Sequence, residues 1–245
     1  MTEKIEGFVL EVIKHSDRHN VVTLYTRSRG RISFLSAAPK GKVSKMKNSR
    51  LMPLACISAD VRFRSDKSLQ LLPAVSPVVV WRDLYFNPVK SSLVFFIAEF
   101  LAKILRQSPP DPNLWDYIRQ TLTILDQADP TRIANFHIAF LVGMLDMLGI
   151  YPPVENYRPG MVFDLEKADF FNPTDPSIRK DSSLSPEESR FLLLLDRLNL
   201  RNQHFLKVTV PQRRMIVDRL LKYFSLHLPF NPSLKSLDIL HEVFS

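Results

Sequence analysis

Apolar and polar positions along this chain follow two different periods, and the change falls near Pro77. Before it, short β-rich runs recur: Gly7–Lys14, Val21–Arg27 (VVTLYTR), Arg31–Ala38 (RISFLSAA), Leu54–Arg64 and Leu69–Val75. In the third run Ile32, Phe34 and Ser36 alternate with Ser33, Leu35 and Ala37, the period-2 pattern of a strand with one buried face. Ser28-Arg29-Gly30 and Ser65-Asp66-Lys67 read as turns, and Pro39–Arg50 (PKGKVSKMKNSR) has too few apolar residues to be core. Five strands without a helix long enough for a βαβ unit predict a small antiparallel barrel.

Beyond Pro77 the period becomes helical. Val89, Leu93, Phe96, Ile97, Phe100, Leu101, Ile104 and Leu105 share one stripe of a helix over Pro88–Gln107, with Asn87 as cap and Pro88 at the first position. Asp111–Ala128 and Thr131–Leu148 follow as two more helices, the latter ending at Gly149, and the three together suggest a bundle. Residues 151–184 carry five prolines and a polar run, and read as an irregular insertion. Ser185-Pro186-Glu187-Glu188 is a helix start, and the Leu192–Leu195 run behind it is apolar all round, which predicts burial. Pro211–Leu228 and Ser233–Phe244 close the chain as helices. The fold class is therefore α+β: a β domain over 1–80 and an α-helical domain over 81–245, the irregular insertion lying within the latter.

Composition changes this picture little. Of 245 residues, 45% are hydrophobic and 24% charged, as in ordinary globular chains. The single cysteine, Cys56, lies in an apolar run and leaves no disulfide framework and no multi-cysteine zinc site. The first residues lack a secretory pattern and no run approaches a membrane span, so the expectation is a cytoplasmic protein.

Charge changes the picture a great deal. Arg18 to Ala59 is 42 residues with nine Lys or Arg and no Asp or Glu. Met1–Val75 holds 14 basic and 6 acidic residues, a net of +8, while the remaining 170 residues carry 19 of each. Solubility does not require excluding acids over such a length, so the excess points to a polyanion. Arg27, Arg29 and Arg31 flank one turn, and Lys40, Lys42, Lys45, Lys47 and Arg50 supply a basic loop. Together they are the candidate phosphate-binding residues. Tyr25 and Phe34 are candidate stacking surfaces, with Phe34 equally a candidate for the core.

Motifs for other chemistry are missing. Gly41-Lys42 is followed by Val43, and Ser36 stands where a phosphate-binding loop needs its first glycine. His15-Ser16-Asp17-Arg18-His19 reads as a solvated turn rather than a metal site. Asp17, Asp60 and Asp66 are scattered rather than paired for Mg²⁺. The expectation is a protein that is not an enzyme and uses no cofactor, catalytic residue, metal or small-molecule substrate. Two rivals remain: a module binding RNA, and a metal-dependent enzyme acting on nucleic acid.

In order and spacing the chain resembles the bacterial RecO family of recombination mediators. The likeness rests on Gly7-Phe8-Val9-Leu10, His15-Ser16-Asp17, Val21–Thr26, Gly30-Arg31-Ile32-Ser33 and Lys40-Gly41-Lys42. It continues through Ala98–Leu101, Asn135-Phe136-His137, Leu148–Pro152, His227-Leu228-Pro229 and Leu234–Leu237. The resemblance implies an N-terminal five-stranded OB-fold, binding of single- and double-stranded DNA, and annealing of complementary strands in the nucleoid. It also implies the partners RecR and the acidic C-terminal tail of the single-stranded DNA-binding protein SSB, in loading RecA onto SSB-coated DNA. Many members carry a four-cysteine zinc site where this chain has Pro153–Phe171, which holds no cysteine. Tyr157, Met161, Phe163, Phe170 and Phe171 are the candidates for an apolar replacement.

Overall fold

A computed structural model describes residues 2–38, 49–64, 69–106, 108–179 and 181–245. The predicted Ser65-Asp66-Lys67 turn and most of the basic loop lie outside the described residues. The chain packs as two compact units, Met1–Gln127 and Ala128–Ser245.

The first unit holds a curled sheet of order β5-β3-β2-β1-β4-β6. Its strands are β1 (Thr2–Lys14), β2 (His19–Thr26), β3 (Gly30–Ala37), β4 (Cys56–Arg62), β5 (Gln70–Leu71) and β6 (Ser76–Pro77). All pairings are antiparallel except β3 with β5, and β5 also approaches β4, so the sheet curls towards closure as an OB-type barrel. One strand more is present than the pattern predicts. The fifth predicted strand is cut to two residues, because Pro73 has no N–H to continue a ladder, and the pair at Ser76–Pro77 then joins β4.

The core inside the curl is Ile5, Val9, Val22, Leu24, Phe34, Ile57, Val61 and their neighbours. Alternation sends Phe8, Thr23, Tyr25 and Arg31 to the outer face. There α1 (Pro88–Ile104), α2 (Pro112–Gln127) and the segment joining them cover one half of the sheet. The Phe8 ring sits 4.4 Å from that of Trp115 on α2. Tyr25 Oη donates to the Pro109 carbonyl at 3.4 Å and accepts from the Asp111 N–H at 3.1 Å. Gly30, at φ +63°, lets the chain pass against residues 108–110.

The sequence signals for α1 are met in detail: Asn87 Oδ1 accepts from the N–H groups of Val89 (3.0 Å) and Lys90 (3.2 Å), ahead of Pro88. Lys90 is 2% exposed; its ammonium pairs with Asp83 at 2.8 Å and donates to the Asp126 carbonyl at 2.8 Å. Asp126 in turn accepts from the backbone of residues 82–84, so the turn before α1 is pinned to the end of α2.

In the second unit, α3 (Phe136–Met147) is apolar all round and buried, and packs on α5 (Val210–His227). Of the three helices expected to form a bundle, α1 and α2 belong to the sheet's unit and α3 to the other. Helix α3 also starts later than Thr131. Asp129 caps a short 3₁₀ turn, and the Asn135 amide donates to the carbonyls of Gln203 (3.1 Å) and Leu206 (2.8 Å), which fixes residue 135 at the helix boundary. At its other end Gly149, at φ +69°, permits the Ile150 N–H to reach back to the Leu145 carbonyl.

The insertion contains a hairpin, β7 (Val162–Asp164) with β8 (Asp169–Phe171). Its Phe163 and Phe170 rings lie 5.0 Å apart, with Tyr157 5.3 Å from Phe170 and Tyr223 of α5 5.8 Å from Phe163. These residues do not fit the four-cysteine zinc site that the resemblance implies for many family members: aromatic side chains pack here and there is no thiol to hold a metal. Helix α4 (Pro186–Leu195) opens with the expected capping box, Ser185 with Glu188. The leucine run in it departs from expectation. Only Leu195 is buried, and Leu194 is 55% exposed. Four successive leucines point round the whole helix, and the unit's core lies on one side of it. The last helix is α6 (Lys235–Val243).

Candidate nucleic-acid interface

Among the described residues, the predicted site residues are Arg27, Arg29, Arg31 and Arg50. Arg27, Arg29 and Arg31 stand at the β2–β3 turn. At the opposite end of β2 is the β1–β2 tip, residues 14–19, beside Ala38, whose N–H donates to the Arg18 carbonyl at 2.7 Å. Eight residues of strand separate these turns by roughly 23 Å at about 3.3 Å per residue. Lys40, Lys42, Lys45 and Lys47 follow Ala38 in the chain and lie outside the described residues.

Two of the three turn arginines serve the fold. Arg29 lies against Glu3, donating from Nε at 3.0 Å and from Nη2 at 2.6 Å, and its guanidinium sits 4.1 Å from the Phe63 ring centre. Those bonds hold the Glu3 carboxyl below the usual range. Arg31 donates from Nη1 to the Ala102 carbonyl on α1, and burial lowers its pKa. Arg27 is exposed, and Arg50 is exposed while donating to the Val75 carbonyl at 2.9 Å. The strand pattern could not reveal these attachments, because the partners are 26 and 71 residues away.

Neither candidate stacking ring is available. Tyr25 and Phe34 are both 0% exposed, Phe34 inside the curl and Tyr25 under the segment joining α1 to α2. Burial pushes the Tyr25 phenol up in pKa, so it acts as a neutral hydrogen-bonding post.

What the structure adds is the other half of the outer face. Register places Ile13 opposite Val21, Val21 opposite Leu35, and Leu35 opposite Leu71. These four form one aliphatic row across β1, β2, β3 and β5, with Ile13 52% and Leu71 61% exposed at its ends. Beside it the β1–β2 tip carries Lys14, His15, Arg18 and His19. Lys14 pairs with Asp17 at 2.9 Å in solvent, while the Ser16 hydroxyl accepts from the Arg18 and His19 N–H groups and shapes the turn. Outward apolar residues at matching positions of adjacent strands were the sequence signal for this row.

A second surface lies in the other unit. A groove of about 910 Å³ is lined by Leu193, Leu194, Leu198, Phe205 and Leu206 together with Arg197, Lys207, Glu155 and Asp196. Phe205 is 71% exposed.

Comparison with known proteins fits both units. Residues 1–80 match the family described as Recombination protein O N terminal, and residues 85–238 match Recombination protein O C terminal. Among curated relatives, the DNA repair protein RecO of Phocaeicola vulgatus is 35% identical over 247 residues, covering 100% of both chains. That of Bacteroides fragilis (strain ATCC 25285) is 33% identical over 244 residues, again with full coverage of both. A barrel with its charge excess, the helices that follow it and matches across both parts lead to one conclusion: this chain belongs to the RecO family of recombination proteins.

Proposed function

We propose that this protein is a non-enzymatic mediator of DNA repair and homologous recombination in the cytoplasm, at the nucleoid. It binds single- and double-stranded DNA, anneals complementary strands and, with RecR, helps load RecA onto SSB-coated DNA. Family membership supports the pathway. The observation that carries DNA binding is the charge: nine cations and no acid from Arg18 to Ala59, on a barrel whose acids elsewhere balance only part of the excess. Phosphate contacts of this kind position DNA without reading its bases.

In this reading the cations lower repulsion between two strands while the groove in the second unit receives the SSB tail. The apolar floor at Phe205 and Leu194 takes its apolar part, and Arg197 and Lys207 its acids. Arg197→Glu with Lys207→Glu should weaken binding of an SSB-tail peptide at least tenfold; unchanged binding removes the groove from the proposal.

The deciding experiment is annealing of SSB-coated complementary strands by the wild type and by a variant with Lys40, Lys42, Lys45 and Lys47 changed to Glu. Annealing should be lost in the variant. Undiminished annealing would show that the loop is not the DNA contact. Tighter binding of RNA than of DNA of equal length would favour an RNA-binding module, and a clean cleavage product with Mg²⁺ would make the protein an enzyme.

A further inference from the structure

Of the four phenyl and phenol rings in residues 1–80, those of Phe8, Tyr25 and Phe34 are 0% exposed. Phe63 differs. Its half-buried ring packs on the barrel core, 6.5 Å from the Phe34 ring, and carries the Arg29 guanidinium 4.1 Å from its centre. The Arg29 side chain is itself 45% exposed, so a single solvent-accessible side chain screens that ring.

What holds Arg29 there is Glu3. The Glu3 carboxylate accepts from Arg29 Nε at 3.0 Å, from Arg29 Nη2 at 2.6 Å and from the Ser28 hydroxyl at 3.1 Å. A guanidinium fork receives a phosphate diester in the same two-bonded way as a carboxylate. The turn is fixed without Glu3: the Thr26 hydroxyl accepts from the Arg29 N–H at 3.1 Å and donates to the Gly30 carbonyl at 2.9 Å. The Arg29 side chain can therefore leave Glu3 while the turn stays made. Further exposed cations lie close in the fold: Arg27 in the same turn, Arg62 opposite Thr2 on β4, and Arg64 next to Phe63.

We infer that Glu3 is a latch over a nucleotide-binding site: a single strand of DNA draws the Arg29 guanidinium onto a phosphate, and a neighbouring base takes its place on the Phe63 ring. The inference rests on the DNA-binding reading above and adds a base contact to it. Magnitudes favour the exchange. An exposed ion pair and an exposed cation–π contact each hold by up to about fivefold. A stacked base contributes roughly 5- to 150-fold, and Arg29 keeps an oxyanion partner throughout. A duplex keeps its bases stacked on one another and offers phosphates alone, so the latch yields preferentially to single strands. The exposed imidazoles of His15 and His19 belong to the tip at the other end of β2 and lie outside this site.

The test measures binding of the full-length protein to oligothymidylate and to a strand of equal length built of abasic tetrahydrofuran units, at one salt concentration. The wild type should bind the abasic strand about fivefold or more weakly. Phe63→Leu keeps an apolar side chain against the core but no ring, and in it the two strands should bind within about twofold of each other. Glu3→Gln should bind oligothymidylate about threefold or more tightly than the wild type. Melting temperatures establish that each variant is folded. No abasic deficit in the wild type, or a deficit that persists in folded Phe63→Leu, overturns the stacking site; loss of the deficit in His15→Ala or His19→Ala would assign it to the tip instead. Unchanged or weaker binding by Glu3→Gln overturns the latch, whether or not Phe63→Leu folds. If the wild type binds neither strand, the DNA-binding reading fails and takes the inference with it, a result distinct from equal binding of both.

Discussion

Gly30→Ala perturbs the contact that holds the helical pair of the first unit over its sheet. Gly30 sits at φ +63°, and an added Cβ would lie 2.5 Å from the Pro109 carbonyl carbon, 2.7 Å from the Pro110 nitrogen and closer still to the Ser108 oxygen. All three are backbone atoms, so no side chain can swing away to make room. The left-handed conformation costs an L-residue about 1–2 kcal/mol. Overpacking against fixed backbone adds about 1–3 kcal/mol, and the reduced freedom of the unfolded chain returns up to about 1 kcal/mol. The expected destabilisation is about 2–4 kcal/mol. It should also loosen the bonds beside it, from the Arg31 N–H to the Ser108 carbonyl and from Tyr25 Oη to the Pro109 carbonyl.

Gly149 supplies the control. Its φ is +69°, but a Cβ there would meet nothing within 4 Å, so Gly149→Ala isolates the conformational part at about 1 kcal/mol. Urea unfolding followed by far-ultraviolet circular dichroism measures both variants. Tryptophan fluorescence reads the first unit separately, since Trp81 and Trp115, the two tryptophans, both lie in it. Equal destabilisation by the two substitutions, within about 0.5 kcal/mol, would refute the close approach at residues 108–110.

Four further expectations follow from the same geometry. Glu3→Gln releases Arg29 from its carboxylate partner; if Arg29 then meets phosphate, the log–log salt slope for single-stranded DNA should steepen by about 0.7, with stability changed by less than about 1 kcal/mol. An unchanged slope would leave Arg29 a structural residue. At the buried Lys90 ammonium, Asp83→Ala should destabilise more than Lys90→Met. The first strands a charge in the core, at a cost approaching about 3 kcal/mol with the acid half exposed, and the second removes that charge and keeps the volume; urea midpoints in the reverse order would contradict this. Burial beside Arg213 and His241 depresses the His137 pKa to about 3. The unfolded chain therefore takes up that proton first, so stability is intact above pH 6.5 and falls by about 1.4 kcal/mol per unit as pH drops from there towards 3. His137→Leu should flatten that slope in urea midpoints measured from pH 7 to 4. Finally, a chelator should leave the melting temperature unchanged, since Phe163, Phe170 and Tyr157 pack together in that hairpin and it holds no cysteine; a drop would show a metal there.

The sequence by itself determined what depends on near neighbours and on summed charge. Alternation in Arg31–Ala38 gave a strand, Asn87-Pro88 and Ser185–Glu188 gave helix starts, and the acid-free span gave the expectation of a polyanion partner. These signals work because strand and helix have fixed periods and caps act over three residues. Tertiary structure alone decided which of those residues are free to act. Arg29 is tied to Glu3 and Arg31 to Ala102, partners that no local period links to them. Tyr25 points outward as its strand requires, yet it is buried, because a segment 84 residues later in the chain covers that half of the sheet. Leu194 is exposed although its run is wholly apolar, because a helix buries only the side that meets a core. Charge can be counted along a chain, but exposure is settled only by what packs over each face, and that is set by contacts between distant segments.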